Sequence, residues 1–181
     1  MGTEMGRDIS ARSIVLKPIT AECVGSFKAV RLRALLDTPT AFGSTYAKEV
    51  LLADAEWEKR VGQWNGENST ARLAWDGEEA CGIVAGFLSL EDLTTAVLVS
   101  MWVAPTHRRR GVGRLLVEAV SDWARSKQAR KLRLMVTDNN QAAIEFYGRL
   151  GFVKTGKTEP YPNDPKLMEV EMERELGAAG D

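Results

Sequence analysis

The chain has 181 residues, 44% of them apolar and 27% charged, and a net charge of −1. That balance describes a soluble globular chain long enough to bury a core. No apolar run approaches the roughly 20 residues that span a bilayer, and two cysteines without metal-ligand spacing, Cys23 and Cys81, make neither a disulfide framework nor a zinc site.

The opening MGTEMGRDISARS has no apolar core of a secretion signal, and Gly6 breaks the myristoylation pattern. A cytoplasmic setting without membrane attachment is expected. Residues 1–11 and 177–181 read as frayed ends around one domain over 12–176.

Arg12 to Ile19 reads as a first strand. Thr20 is placed to cap a helix reaching Leu36, with Val24, Phe27, Val30, Leu32 and Leu35 as its apolar residues. Residues 37–45, DTPTAFGST, have loop composition, and a second helix is expected over Leu51 to Trp64. Arg72 to Trp75 and Ile83 to Leu90 form a predicted hairpin around Asp76-Gly77. Cys81 sits in its apolar part and reads as a core residue.

Thr95 to Val103, TAVLVSMWV, is nearly all apolar, as a strand covered on both faces requires. A helix follows from Arg110 to Ser126, with one stripe of Val112, Leu115, Leu116, Ala119, Val120 and Trp123. Lys131 to Val136 alternates like a strand. Asp138-Asn139-Asn140 supplies capping chemistry for a short helix to Leu150, and Gly151 stops it. Phe152 to Thr155 and Leu167 to Glu175 are expected strands around a loop, EPYPNDP. Hairpins first and strand–helix alternation later give a mixed α/β class.

Charge is uneven along this order. Residues 108–133 hold nine Lys/Arg against Glu118 and Asp122, while residues 159–181 hold seven acids and two bases. A basic block in a near-neutral chain points to an anionic ligand at one place, although Arg125 to Arg133 fit a solvated helix face.

The sharpest local pattern is VAPTHRRRGVGRLL over 103–116. A buried strand ends, Pro105 blocks its continuation, and three arginines lead into Gly111-Val112-Gly113 at a helix start. Unpaired N–H groups and the dipole at a helix N-terminus bind phosphate. Glycine removes the Cβ that would keep the ligand away, and arginine adds charge-assisted hydrogen bonds. Leu116 stands where a dinucleotide fingerprint needs its third glycine, and no Walker-type lysine is present. On composition alone the segment is equally a solvated turn.

Val103-x-Pro105-x-x-Arg108-x-x-Gly111-x-Gly113 resembles the acetyl-coenzyme A loop of the GCN5-related N-acetyltransferases (GNAT). About 30 residues on, Asn140-x-x-Ala143-x-x-Phe146-Tyr147-x-x-x-Gly151-Phe152 resembles the second signature of the same family. The resemblance covers about residues 70–155. It implies a mostly antiparallel sheet of about seven strands flanked by about four helices, with the fourth and fifth strands parallel and splayed to admit the pantetheine arm.

It also implies an acyltransferase that uses acetyl-coenzyme A, no metal, and a small-molecule amine acceptor. A peptide acceptor, acyl groups larger than acetyl and a homodimer stay open. The main chain of Met101, Trp102 and Val103 would hold the pantetheine. The loop Arg108, Arg109, Arg110, Gly111, Val112, Gly113 and Arg114 would wrap the pyrophosphate. Asn140 would contact the pantetheine or its neighbouring backbone, and Tyr147 would serve as general acid to the thiolate.

Many family members carry a Glu at the position that falls on Val97, and this strand has no acid. Ser100 through water, Asp138 and Glu91 are the substitutes considered. His107 is expected to face solvent from the phosphate loop. The acceptor pocket is expected among Phe42, Tyr46, Trp57, Trp102 and the Tyr161 loop, with Phe42 and Tyr161 the preferred contacts. Two rivals are a non-catalytic acetyl-coenzyme A sensor and a nucleic-acid binder using the 108–133 block. The second conflicts with an overall pI of about 6.0.

Overall fold

The computed structural model describes residues 13–177. Residues 1–12, including Arg12 of the expected first strand, and 178–181 lie outside that range. In chain order the elements are β1 (Val15–Pro18), α1 (Val24–Asp37), α2 (Tyr46–Glu49), α3 (Asp54–Trp64), β2 (Ser69–Asp76) and β3 (Glu79–Leu88). Then follow β4 (Thr95–Val103), α4 (Val112–Ser126), β5 (Lys131–Thr137), α5 (Gln141–Arg149), β6 (Val153–Tyr161) and β7 (Asp164–Glu175). Single 3₁₀ turns precede α1 (Ala21–Cys23), follow it (Pro39–Ala41) and follow β4 (Pro105–His107).

The strands form one sheet in the order β1-β2-β3-β4-β5-β7-β6. Among the described residues β4 and β5 are its one parallel pair; the other neighbours are antiparallel. The mixed α/β sheet with parallel fourth and fifth strands is therefore as expected. The helices number five among the described residues, because the four-residue α2 carries no readable period.

Strand alternation sorts β3 between two layers. A Cβ on Gly82 or Gly86 would meet Leu116 or Val120 of α4. Ala85 and Phe87 point to the other face, where α1 and α3 pack edge-to-face through Phe27 and Trp57 (ring centroids 5.6 Å apart). The buried side of α4 is Val112, Leu116, Val117, Val120, Ser121 and Ala124. That corrects the expected stripe, since Leu115 is 45% exposed. The helix is rotated so that Ser121 faces inward, where it takes a hydrogen bond from Arg174 of β7.

The expected EPYPNDP loop is a second correction. β6 runs through Pro160 to Tyr161, and β7 starts at Asp164, so only Pro162-Asn163 turns. β6 is an edge strand, where a missing N–H leaves no ladder bond unmade. The β7 glutamates then face the bases of β5. Lys131 Nζ lies 2.9 Å from Glu173 Oε1, and Arg133 Nη2 lies 2.9 Å from Glu173 Oε2. Two bases of the block, Lys131 and Arg133, are thus neutralised by the acidic tail across adjacent strands. No helix of the described residues is long and apolar enough to cross a membrane.

Candidate active site

Sheet register builds the centre of the site. On the β3 side Ile83 pairs Trp102 and Ala85 pairs Val99, so Ser100 and Met101 oppose Val84 alone. This is a β-bulge, and it holds Ser100 in the left-handed region at φ 55°. On the other side the parallel ladder stops at Val97↔Arg133, although β4 runs on to Val103 and β5 to Thr137. The two strands part there, and Met101, Trp102 and Val103 line the opening with backbone that β5 does not pair. Val97 stands on the last paired rung.

The phosphate loop closes one side of this opening. Gly111 is the N-cap of α4 at φ 82°, with no side chain capping the helix. The first N–H groups, from Val112, Gly113 and Arg114, are free for an anion. Arg109 is left-handed (φ 60°) and exposed, as is Arg114, and no carboxylate of the described residues pairs with either.

Arg108 and Arg110 are engaged within the protein. Arg108 donates from Nε to the Val103 carbonyl (3.0 Å) and from Nη2 to Asp37, while Arg110 Nη2 lies 3.5 Å from Asp76 Oδ2. Burial works to raise the Asp37 pKa, but hydrogen bonds from Trp102, Thr38 and Arg108 outweigh it and hold the carboxyl below its usual range. The Trp102 side chain is thus committed to Asp37 (Nε1 to Oδ2, 2.8 Å), and only its main chain is left for a ligand.

His107 corrects the sequence reading. It is 5% exposed, with Nε2 3.2 Å from Asp76 Oδ2 and Nδ1 2.8 Å from Thr106 Oγ1. Its partner lies 31 residues back, so the loop's own composition gave no sign of burial.

The second signature packs beside the start of α4. Asn140 caps α5, its Oδ1 accepting from the Ala143 N–H at 3.1 Å. A Cβ on Gly113 would stand 3.0 Å from Phe146 Cζ and 3.3 Å from Met101 Cε. That glycine therefore lets α4, α5 and β4 converge. Tyr147 is 8% exposed, edge-on to Phe146 and Phe152, and burial pushes its phenol pKa up.

A cavity of about 410 Å³ opens on the α1/α3 face and reaches the bulge. Phe27 and Arg31 come from α1, Glu56 and Arg60 from α3, Phe87 from β3 and Ser100 from β4. None of the expected pocket residues lines it. Trp57 is fully buried, and Phe42 (4% exposed) and Tyr161 (3% exposed) meet as packing instead. The Tyr161 hydroxyl donates to the Phe42 carbonyl (2.6 Å) and lies 3.0 Å from that of Pro39, which fastens the β6–β7 turn to the 39–42 segment.

Of the proposed proton acceptors, Ser100 lies at the cavity and Asp138 just beyond β5. Glu91 precedes Thr95 at the paired end of β4, roughly 20 Å of strand from Met101. Sequence reasoning missed Arg31, Glu49, Glu56 and Arg60. Arg31 donates from Nε and Nη2 to the two oxygens of Glu49 (3.0 and 2.8 Å) and from Nη1 to Ser100 Oγ (3.1 Å). Those partners are 18 and 69 residues away, so no local pattern could show them.

Comparison with known proteins identifies the family. Residues 32–152 match the model of the Acetyltransferase (GNAT) family. A streptothricin acetyltransferase of Streptomyces lavendulae is 39% identical over 87 residues, 42% of each chain. The chain thus spans less than half the length of that curated relative. Among solved structures, a GNAT-family acetyltransferase from Streptococcus pneumoniae superposes with a TM-score of 0.76 at 23% identity, covering 91% of this chain and 100% of that one. A spermidine N-acetyltransferase from Vibrio cholerae, in complex with CoA and spermine, gives 0.73 at 15% identity, over 90% and 95% of the two chains. The chain belongs to the GNAT acetyltransferase family.

Proposed function

We propose that the chain, as one domain over 12–176, transfers acetyl from acetyl-coenzyme A directly to the amine of a small molecule in the cytoplasm. The observation that carries this reading is the parting of β4 and β5 beyond Val97↔Arg133, beside the uncapped start of α4. A slot between parallel strands accepts an extended pantetheine, which hydrogen-bonds the free edge of Met101 to Val103. The α4 N-terminus, with Arg109 and Arg114, takes the pyrophosphate. Arg108, Arg110 and Asn140 hold the loop and α5 in shape.

The amine enters from the Ser100 side and attacks the thioester carbonyl carbon. The C–S bond breaks when the tetrahedral intermediate collapses, and the thiolate leaves. A thiol near 8.5 is a stronger acid than a phenol near 10, and burial widens that gap for Tyr147. Tyr147 then serves the sulfur as a hydrogen-bond donor while charge develops, in place of the full proton transfer of a general acid, and the proton released by the attacking nitrogen passes through solvent to the thiolate, giving free coenzyme A.

Direct transfer is favoured over an acetyl-enzyme because burial, with Asp76 nearby, raises the Cys81 thiol, and the Cys23 sulfur donates to the Thr20 carbonyl (3.2 Å). The pairing of Lys131 and Arg133 with β7 glutamates removes two of the nine bases of the block from any nucleic-acid surface. The acceptors named for relatives, streptothricin and spermidine, differ from each other and leave this chain's acceptor open.

A thermal melt with acetyl-coenzyme A, coenzyme A, NAD and a DNA duplex in parallel tests the donor site. Ligand at 100 times Kd adds about 2.7 kcal/mol, a rise of about 5–11 °C at this size. A rise with both coenzyme A species alone is expected. No rise with them, or a rise with NAD or DNA instead, overturns the reading.

A further inference from the structure

The cavity at the bulge holds more positive charge than its own buried carboxylate cancels. Glu49, 1% exposed, faces two guanidinium groups: Arg31 through the bidentate pair described above, and Arg60, whose Nη1 lies 3.2 Å from Oε2. Glu49 remains an anion at neutral pH, since the arginines hold its carboxyl below the usual range against the effect of burial. Arg31, Arg60 and Glu49 together thus carry two cations against one buried anion, with Glu56 as a separate acid on the cavity wall.

Arg31 uses Nε, Nη2 and Nη1 within the protein. Arg60 lies over the Trp57 ring at 5.2 Å and pairs with Glu49 through Nη1, while its Nε and Nη2 make no hydrogen bond among the described residues and are the groups left for a ligand. Its side chain is 27% exposed, at the wall of the cavity. Glu56 lines the same cavity one helical turn earlier on the same side of α3, and its nearest cation is Lys59 at 3.9 Å. Phe27, Trp64 and Phe87 supply apolar wall between these charges and the sheet.

We propose that the acceptor is an amine bearing a carboxylate a few bonds away, an amino-acid-like zwitterion, with Arg60 taking the carboxylate and Glu56 facing the ammonium. This rests on the transfer reading above and narrows its acceptor. The arginine fork matches a carboxylate in shape as well as sign. A second ammonium, as in a polyamine, would be set against Arg31 and Arg60 in a partly buried site, where like charges repel more than in water. The apolar wall adds a preference for an apolar side chain over a charged one.

The test is thiol release from acetyl-coenzyme A with apolar amino acids, the carboxamide of each, and spermidine. Each amino acid is expected to exceed its own carboxamide in kcat/KM by about 10–100-fold, the worth of a charge-assisted hydrogen bond. Arg60→Gln should raise KM for the acid and leave that for the carboxamide, with the coenzyme A melting shift unchanged. Arg60→Lys, which keeps the charge and loses the fork, should fall between. A preference for carboxamide or spermidine, or equal losses on acid and carboxamide, overturns the proposal. Where no acceptor turns over, calorimetry of N-acetylated amino acids with coenzyme A present decides, and absence of binding overturns it. A missing melting shift with coenzyme A itself would instead sink the transfer reading.

Discussion

Arg31→Met tests whether the buried pair with Glu49 holds the bulge of β4. The substitution keeps an unbranched chain of similar reach and removes the guanidinium. Of its two cations Glu49 then keeps Arg60, at 3.2 Å. The side chains of Arg31 and Glu49 are 12% and 2% exposed, so solvent screens the loss little. Removing one partner of a buried ion pair costs about 3–5 kcal/mol. With Arg60 still present the lower end applies, about 3 kcal/mol, or a fall of about 6–12 °C in Tm at this chain length.

The pH dependence gives a second readout. The Glu49 pKa is below its ordinary 4.5 in the folded state. The stability it contributes is therefore present above the unfolded pKa and lost as pH falls through the folded one. The gap between the parent protein and Arg31→Met should be full at pH 7 and narrow below about pH 4. Ser100→Gly added to the variant should recover about 1–2 kcal/mol, because glycine adopts the left-handed bulge without help. Circular-dichroism melts at pH 7 and pH 3.5 read both effects. A fall under 2 °C, or the same fall at both pH values, would refute the ion-pair account.

Tyr147→Phe should lower kcat about 10²-fold while leaving the coenzyme A melting shift intact; equal losses in both would make the residue structural. Gly113→Ala should cost about 1–3 kcal/mol by overpacking against Phe146 and Met101, and it should weaken coenzyme A binding in the same melt. Gly111→Ala meets no atom within 4 Å but carries φ 82°, so about 1–2 kcal/mol of backbone strain is expected. The Asp92 carboxyl should titrate near 2 by NMR, because Thr94 and Thr95 hydrogen-bond it. Thr95→Ala should move it back toward 3.8, and an unmoved midpoint would remove that cause.

Readability from the sequence followed the distance of the deciding contact. The apolar run TAVLVSMWV fixed β4 to the residue, since burial on both faces leaves no other composition. Asn140 marked the cap of α5 because its bond to Ala143 is local. The signatures coincide with the end of β4, the uncapped start of α4 and the helix α5 that carries Tyr147. What stayed hidden was long-range. Proline content hid β6, because only the sheet order shows it to be an edge. Phe42 and Tyr161 read as loop aromatics facing an acceptor, yet both are buried and the Tyr161 hydroxyl donates to the Phe42 carbonyl. Glu49 looks like any acid at the end of YAKE until Arg31 and Arg60 close over it.

Those long-range contacts share one element. From α1, Arg31 reaches the Ser100 hydroxyl, Arg33 lies over the Trp102 ring at 5.4 Å, and Asp37 takes hydrogen bonds from Trp102 Nε1 and Arg108. Ser100 borders the α1/α3 cavity, and Arg108 belongs to the loop that leads into α4. One helix therefore grips β4 from its bulge to its end and touches both halves of the site. A rigid rod with two such grips fixes the spacing between the loop proposed to hold pyrophosphate and the cavity proposed to receive the amine. Direct transfer needs that spacing, because the attacking nitrogen must come within about 3–3.5 Å of the thioester carbon with no enzyme nucleophile to carry the acetyl across.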